Sequence, residues 1–486
     1  MSATTGNKQT KVAFVRKFLE EIILSSNGPQ RAKLPSSRQL AMELGVSRNT
    51  VLAAYQELIA EGFAEPKSKS GVFVNSEILS QLSKGRKILQ PTTPKSERFE
   101  FKVAIDTSKT NLPEIHKPYY DWHKLKYPFI CGQVNANLFP SNTWLRYLSM
   151  ALEPIHRNFS LSDDPEHDDP LLVTAICRRI LPSRGIKADP SMILITMGTQ
   201  EGLFLIADAL FDESSTIAME NPGYPDARHI FIRSNAKVVG ATVDDFGLVP
   251  ESIPDGVDAI YTTPSHQFPT NATLSISRRR RLLDMANENG MVVIEDDYDS
   301  ELRYIGRPTP ALLSLAGAEP VLYLGSFSKF LAPGLRLGFL VGPPSLIRIL
   351  RQRQRYVLRH PPGHLQRALA LMIEQEAYAR HLRRYRASLK RSWQVTTDSV
   401  RDHLPAVKIY STAGGTSFWV ELDPSVDAVE LTHNALEEGI VIEPGNVYFL
   451  EENPPKNFIR IGFGAIEPRN IEAGIQLLGD IIRRFE

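Results

Sequence analysis

From Tyr127 onward the chain repeats one texture: short apolar runs, MILIT, STIAME, AKVVGATV, DAIYTT, MVVIEDD, VLYLGSF and LGFLVG, separated by stretches of helical spacing. Parallel strands need long crossovers, which helices supply, so this alternation predicts an α/β domain with a mostly parallel sheet over residues 126–345. Past residue 345 the spacing becomes long and helical, in RILRQRQRYVLRH and HLQRALALMIEQEAYARHLRRYRASLKRSW. Strand-like runs return around TSFWVEL and NFIRIGF, which predicts a helical segment followed by a smaller α+β domain over 346–486.

A chain of 486 residues exceeds what one core of about 250–300 residues can organise, so at least one further domain is expected. Residues 8–76 supply it. In KVAFVRKFLEEIILS, Val12, Val15, Phe18, Leu19, Ile22 and Ile23 recur at helical spacing. A second helix begins near Ser36-Ser37-Arg38-Gln39-Leu40 and stops at Gly45; a third, SRNTVLAAYQELIAEG, opens at Ser47 and stops at Gly62. FAEPKSKSGVFVN then alternates apolar and polar residues around a basic tip, as a two-stranded hairpin does. Three helices and a wing make a winged helix-turn-helix. Residues 77–125, with QPTTPKSERFEFK and NLPEIHKPYY, lack periodicity and read as a linker.

With 42% apolar and 23% charged residues the chain falls among ordinary soluble proteins. Its net charge of +1 conceals a basic start: residues 1–75 carry ten Lys and Arg against six acids, a bias that attracts a polyanion. Cys131 and Cys177 have neither metal-ligand spacing nor a disulfide framework and read as buried thiols in a reducing cytoplasm; no metal is expected. The polar start MSATTGNKQTK lacks the apolar core of a secretory signal, and no run reaches the about 18 apolar residues of a membrane span.

A helix entering the major groove needs short polar or basic side chains on its first turn, and Ser47, Arg48, Asn49 and Thr50 provide them. Alone, those four residues equally describe a capped, solvated helix start. LPSSRQLAMELGVSRNTVLAAYQELIAEGF, however, resembles the DNA-binding domain of the GntR family across nearly all of residues 11–75. The resemblance implies DNA contacts from Arg38, Ser47, Arg48 and Thr50, with Lys69 and Gly71 at the wing tip.

The α/β part carries a second constellation. MILIT ends at Gly198-Thr199-Gln200, just before a helix, where backbone amides face an anion. MVVIEDDYD closes an apolar strand with Asp296 and Tyr298, either a solvated acidic turn, a metal site or a ligand contact. VLYLGSF runs into Ser326, Ser328 and Lys329, followed by Arg336 in a Gly/Pro loop. A lysine for a Schiff base, a carboxylate for a pyridine nitrogen, a hydroxyl for a ring oxygen and an anion cradle are the four needs of pyridoxal phosphate. Lys329, Asp296, Tyr298, and the group of Gly198, Thr199, Gln200, Ser326, Ser328 and Arg336 meet them in turn.

Together TMGTQEGL, ENPGYP, TPSHQFPT, IEDDYDSE, SFSKFLAPGLRLGF and NFIRIGF resemble the fold-type I aminotransferases over roughly residues 125–486. Joined to a GntR-like head they look like the MocR subfamily of transcription regulators. That resemblance implies Lys329 as the Schiff-base lysine, Tyr224 stacked on the ring, Arg460 receiving an effector's acid group, and a homodimer with each head over the partner subunit. It implies a sensor that exchanges Lys329 for the amine of a small effector by transimination. DWHKLKYPF and DDPLLVTAICRRILPSRGI place it nearer regulators of taurine or ectoine-type solutes than vitamin regulators. A working aminotransferase bearing a DNA-binding head, and a sensor of pyridoxal phosphate itself, are the alternatives. One departure stands out: Ser265-His266-Gln267-Phe268-Pro269-Thr270-Asn271 replaces the usual Asn-Pro-Thr-Gly step. His266 is either the substitute partner of the ring oxygen or a loop histidine without that role. Arg460 also reads as a surface or dimer-contact arginine, Arg228 is a weaker effector candidate, and Arg380, Arg383, Arg384 and Arg386 read as a solvated basic helix face.

Overall fold

The apolar stripe of KVAFVRKFLEEIILS becomes, in the computed structural model, the inner face of α1 (Lys11–Ser25), with Val15, Leu19 and Ile23 almost wholly buried. The structure describes residues 11–25, 33–67, 70–75, 121–299, 301–306, 309–317, 321–410 and 413–485. They divide into two units, one within residues 1–106 and one within 107–486. The expected linker lies outside the described residues up to position 120, as does Lys69 at the wing tip.

In the first unit α2 (Ser37–Glu43) begins where the Ser36 hydroxyl accepts the Gln39 N–H at 3.2 Å. α3 (Arg48–Ala60) begins where Ser47 does the same for Thr50 at 3.1 Å. Each cap satisfies an amide that the helix cannot, worth about 1 kcal/mol. Val51, Ala54 and Leu58 of α3 pack with Leu40 and with Ala64 and Val74 of the wing, β1 (Ala64–Lys67) antiparallel to β2 (Gly71–Val74).

The second unit is built on an eight-stranded sheet, from β4 (Ile193–Thr196), β5 (Thr216–Asn221), β6 (Lys237–Asp244), β7 (Gly247–Leu248), β8 (Ala259–Thr262), β9 (Val292–Asp297), β10 (Val321–Ser326) and β11 (Gly338–Val341). Their spatial order is β4-β11-β10-β9-β8-β5-β6-β7. The stretch β10-β9-β8-β5-β6 is parallel, β11 runs against both its neighbours, and β7 runs against β6. β4, β8, β10 and β11 are buried at every position, which is why they read as unbroken apolar runs rather than alternating ones. The carboxyl ends of β4, β5, β8, β9 and β10 therefore meet at one edge of the sheet, the edge where α/β proteins bind ligands. Gly338 lets strands and cradle approach there: a Cβ would stand 2.8 Å from the Gly325 carbonyl oxygen and 3.0 Å from Gly198 backbone.

A smaller antiparallel sheet joins β12 (Lys408–Ile409), β13 (Ser417–Glu421), β16 (Phe458–Gly462) and β15 (Glu443–Pro444), in that order. Beside it β3 (Tyr127–Pro128) pairs in parallel with β14 (Ile440–Val441). Core membership departs from the expected division at residue 345. Tyr127 and Phe129 pack with Phe418, Val420, Ile459 and Ile461 of the C-terminal layer, whereas Ile347 and Leu350 pack beneath the large sheet. Periodicity reports which side of an element is apolar but not which core receives it. Of the basic helix Ala377–His403, Arg380, Arg383 and Arg384 are exposed, while Arg386 is half-buried and donates to the Arg303 carbonyl. Among the described residues no helix is long and apolar enough to cross a membrane.

Candidate functional site

Gly198, at φ 82°, ends the turn after β4 and opens the helix Thr199–Leu210, whose first amides have no intrahelical partner. The Arg336 guanidinium lies against this turn, 3.4 Å from where a Gly198 Cβ would be. Arg336 itself sits at φ 50°, a strained backbone for a side-chain-bearing residue and one that recurs at ligand sites. Ser326 and Ser328, at the end of β10, complete this anion cradle, the Ser326 hydroxyl accepting the Ser328 N–H at 3.2 Å.

The same cavity is lined by Thr199, Gln200, Tyr224, Asp296, Tyr298 and Lys329, so ten expected cofactor residues converge on one space. Asp296, 3% exposed, uses one oxygen to accept the Tyr261 hydroxyl at 2.9 Å; among the described residues its Oδ1 has no partner. A buried carboxylate oxygen without a donor fits the N–H of a protonated pyridine ring, and the cradle in the same cavity fits its phosphate. The Lys329 ammonium is 5.7 Å from the centre of the Tyr298 ring. Burial lowers its pKa; Asp299 and Asp296 pull it back up, while Arg460 and Arg336 oppose them. The net lowering favours a lysine that can shed its proton and act as a nucleophile.

Burial pushes Asp296 up to about 7; the Tyr261 hydrogen bond and Lys329 work against this, and Asp297 and Asp299 reinforce it. Without a cationic partner the folded protein keeps this proton where an unfolded Asp, near about 3.9, has lost it. Stability from this group is thus full at low pH and lost as pH rises through about 7. Thermal melts of cofactor-free protein should therefore fall relative to Asp296→Asn as pH climbs from about 4 to about 7. Parallel curves would show that Asp296 does not titrate in that window.

His266, which the sequence leaves open between a partner of the ring oxygen and a loop histidine, is not among the residues that line the cavity. Its Nδ1 is 2.8 Å from Asp299 Oδ1, both side chains are buried, and its Nε2 lies against Gly414. The Tyr298 hydroxyl instead donates to the His266 carbonyl at 3.2 Å. Arg460 is 5% exposed and also does not line the cavity. It stacks 4.3 Å from the centre of Phe268, which does line it, donates to Ser417 Oγ at 2.9 Å and stands 3.6 Å from Glu443. Among the described residues its Nε has no partner. Arg228 braces the Val447 and Phe449 carbonyls. Phe268, Tyr261, Thr263 and Pro333 line the cavity without having been singled out from the sequence; the signal for Tyr261 was its place near the end of a strand beside the acidic one.

On the first unit, Arg38, Ser47, Arg48 and Asn49 are exposed and Thr50 is half-exposed. The Ser47 hydroxyl, besides capping α3, lies 2.7 Å from that of Thr50, and Arg48 Nε donates to Ser37 Oγ at 3.3 Å. Gly71, at φ 110°, turns the wing, where Lys33 and Lys67 flank Phe73.

Residues 155–478 match the family described as aminotransferase class I and II, and residues 11–74 match the bacterial regulatory proteins of the gntR family. The chain is 38% identical to the HTH-type transcriptional regulator TauR of Rhodobacter capsulatus, over 96% of each chain. It is 30% identical to the probable rhizopine catabolism regulatory protein MocR of Rhizobium meliloti, over 97% of this chain and 94% of that one. Among solved structures it resembles LysN, the alpha-aminoadipate aminotransferase of Thermus thermophilus, complexed with N-(5'-phosphopyridoxyl)-L-leucine. That match has a TM-score of 0.69 at 27% identity and covers 75% of this chain and 94% of that one.

Proposed function

The chain belongs to the MocR subfamily of GntR-type transcription regulators, whose sensor is a pyridoxal phosphate-dependent aminotransferase fold, and we propose from the cavity around Lys329 that its signal is a small primary amine with an acid group. When bound, the cofactor supplies an aldehyde that can pass from one amine to another. The protein's residues do the rest: burial keeps Lys329 ready to exchange, Asp296 holds the ring nitrogen, and Tyr224 and Tyr298 border the ring. Gly198, Thr199, Gln200, Ser326, Ser328 and Arg336 take the phosphate. Arg460 receives the acid group once Phe268 gives way. Taurine and an ectoine-derived amino acid are the effectors to try first.

The observation that carries this reading is the unpartnered Asp296 oxygen in a cavity that also holds Lys329 and an arginine-backed helix start. In this reading the protein is cytoplasmic and dimeric, the heads of two subunits engage two half-sites of an operator, and effector exchange alters their spacing. The test is anisotropy of labelled upstream DNA while candidate amines are titrated into cofactor-loaded protein, followed in parallel by absorbance. An absorbance change without any change in DNA affinity sinks the sensor role.

Arg48→Ala should weaken DNA binding about tenfold or more, since a recognition-helix arginine is worth about 1–3 kcal/mol, with no change in the cofactor spectrum. Undiminished affinity would remove α3 from the interface. The second reading, a catalytic aminotransferase with a DNA-binding head, is favoured by the completeness of the lysine, carboxylate and cradle set. Repeated return of the cofactor to its aldehyde form by a keto acid would support it. A response of DNA binding to pyridoxal phosphate alone would support a vitamin sensor.

A further inference from the structure

A second cavity, of about 560 Å³, opens between the π-helical turn Ile176–Ile180 and the helix Ala377–His403, and nothing in the reading of Lys329 uses it. Arg178, Arg179, Arg184, Arg383 and Arg386 line it, against two acids, Glu301 and Glu376. Arg179 is engaged by Glu374 at 3.1 Å and Arg184 by Asp297 at 2.7 Å. Among the described residues the guanidinium groups of Arg178 and Arg383 have no hydrogen bond or ion pair. Guanidinium groups gathered on one concave wall repel unless an anion lies among them, and they are the side chains best shaped to bind oxyanions bidentately.

The inner wall holds two orphans. Tyr378 is 3% exposed, and among the described residues neither its hydroxyl nor Glu301 Oε2 has a partner. Burial pushes Glu301 up to about 7 against the pull of Arg386 and Arg184, so its repulsion of an anion is weak near neutrality. A ligand hydroxyl that reached these atoms would donate to Glu301 and accept from Tyr378. The Ile176–Ile180 turn is itself irregular, of a kind frequent at functional sites. A DNA backbone, confined to the surface, does not reach a residue as buried as Tyr378.

We infer that this cavity binds a small hydroxylated oxyanion, of the phosphorylated-polyol or hydroxy-polyacid class, and that Arg184 transmits its presence to the cofactor. Arg184 forms part of the wall, and its guanidinium donates to Asp297 Oδ2 at 2.7 Å and to Ser265 Oγ at 2.7 Å. Asp297 adjoins Asp296, the ring-nitrogen partner, and also accepts the Tyr323 hydroxyl. An anion sharing Arg184 weakens its hold on Asp297 and so changes the field at Asp296.

Full-length protein saturated with pyridoxal phosphate, so that its own phosphate cradle is filled, is titrated calorimetrically with glycerol 3-phosphate, citrate and inorganic phosphate. Glycerol 3-phosphate or citrate should bind at one per chain, identifying the ligand class, with inorganic phosphate at least about tenfold weaker. The double variant Arg178→Ala/Arg383→Ala, both at exposed positions, should lose about tenfold or more, and Tyr378→Phe several-fold. Binding should shift the cofactor absorbance of the wild type. No heat with any probe, equal affinity in the variants, or complete displacement by random-sequence duplex DNA overturns the site. Binding with an unmoved spectrum overturns the link through Arg184.

Discussion

Lys329→Ala is expected to abolish covalent attachment of pyridoxal phosphate and with it the whole effector response of DNA binding. Among the described residues Lys329 is the only lysine lining the cavity, and a Cβ on Gly132 would stand 3.3 Å from its Nζ, so the amine is already aimed into a confined space. Its lowered pKa raises the share of the unprotonated amine, the form that reacts with an aldehyde. Alanine removes the nucleophile but leaves Asp296, Arg336 and the helix start, so the variant should still bind the cofactor reversibly. Borohydride reduction followed by intact mass separates the two cases: wild type retains one cofactor per chain and the variant none. A variant that kept the added mass would move the chemistry to another lysine.

Arg279→Leu should cost about 3–5 kcal/mol of stability, the range for removing one partner of a buried charge pair. Arg279 is fully buried and donates to three carbonyls, of Leu274 at 3.0 Å, Pro310 at 3.1 Å and Pro264 at 2.6 Å, while Glu295 stands 3.7 Å away. Leucine fills part of the volume but strands the Leu274 and Pro310 oxygens, takes one of two donors from Pro264, which keeps the Leu274 N–H, and leaves Glu295, among the described residues, with the Leu312 and Leu313 amides. Because Pro264 and Leu274 bound the loop bearing His266 and Phe268, cofactor affinity should fall together with the urea midpoint. Lysine should not rescue, since one ammonium cannot reproduce a planar fork that reaches three acceptors. A midpoint within about 0.5 kcal/mol of wild type, the usual scatter of surface substitutions, would mean that these contacts are not made in solution.

The sheet and the head were legible because their signals are local. Strands buried on both faces write unbroken apolar runs, and caps such as Ser36 and Ser47 sit beside the helices they start. Much of the candidate site was legible for a related reason: Gly198, Asp296, Ser326 and Lys329 all lie at strand ends, and topology carries such ends to one edge. His266 was not, because its partner Asp299 is 33 positions away and the choice between ring oxygen and Asp299 is made by tertiary packing. Arg460 could be assigned an acid-binding role by resemblance, yet no spacing reveals that Phe268 lies over it. Tyr127 and Phe129 were grouped with the nearest strands in the chain, while their burial is decided by the C-terminal layer.

The reversed direction of β11 has a mechanical outcome. Because β10 and β11 are antiparallel neighbours, Lys329 and Arg336 ride on a single connection, pinched shut where the Phe327 N–H meets the Leu337 carbonyl at 3.0 Å. Hook and clamp are therefore carried on one bracket, and a displacement of that bracket translates both anchors together instead of straining the molecule between them.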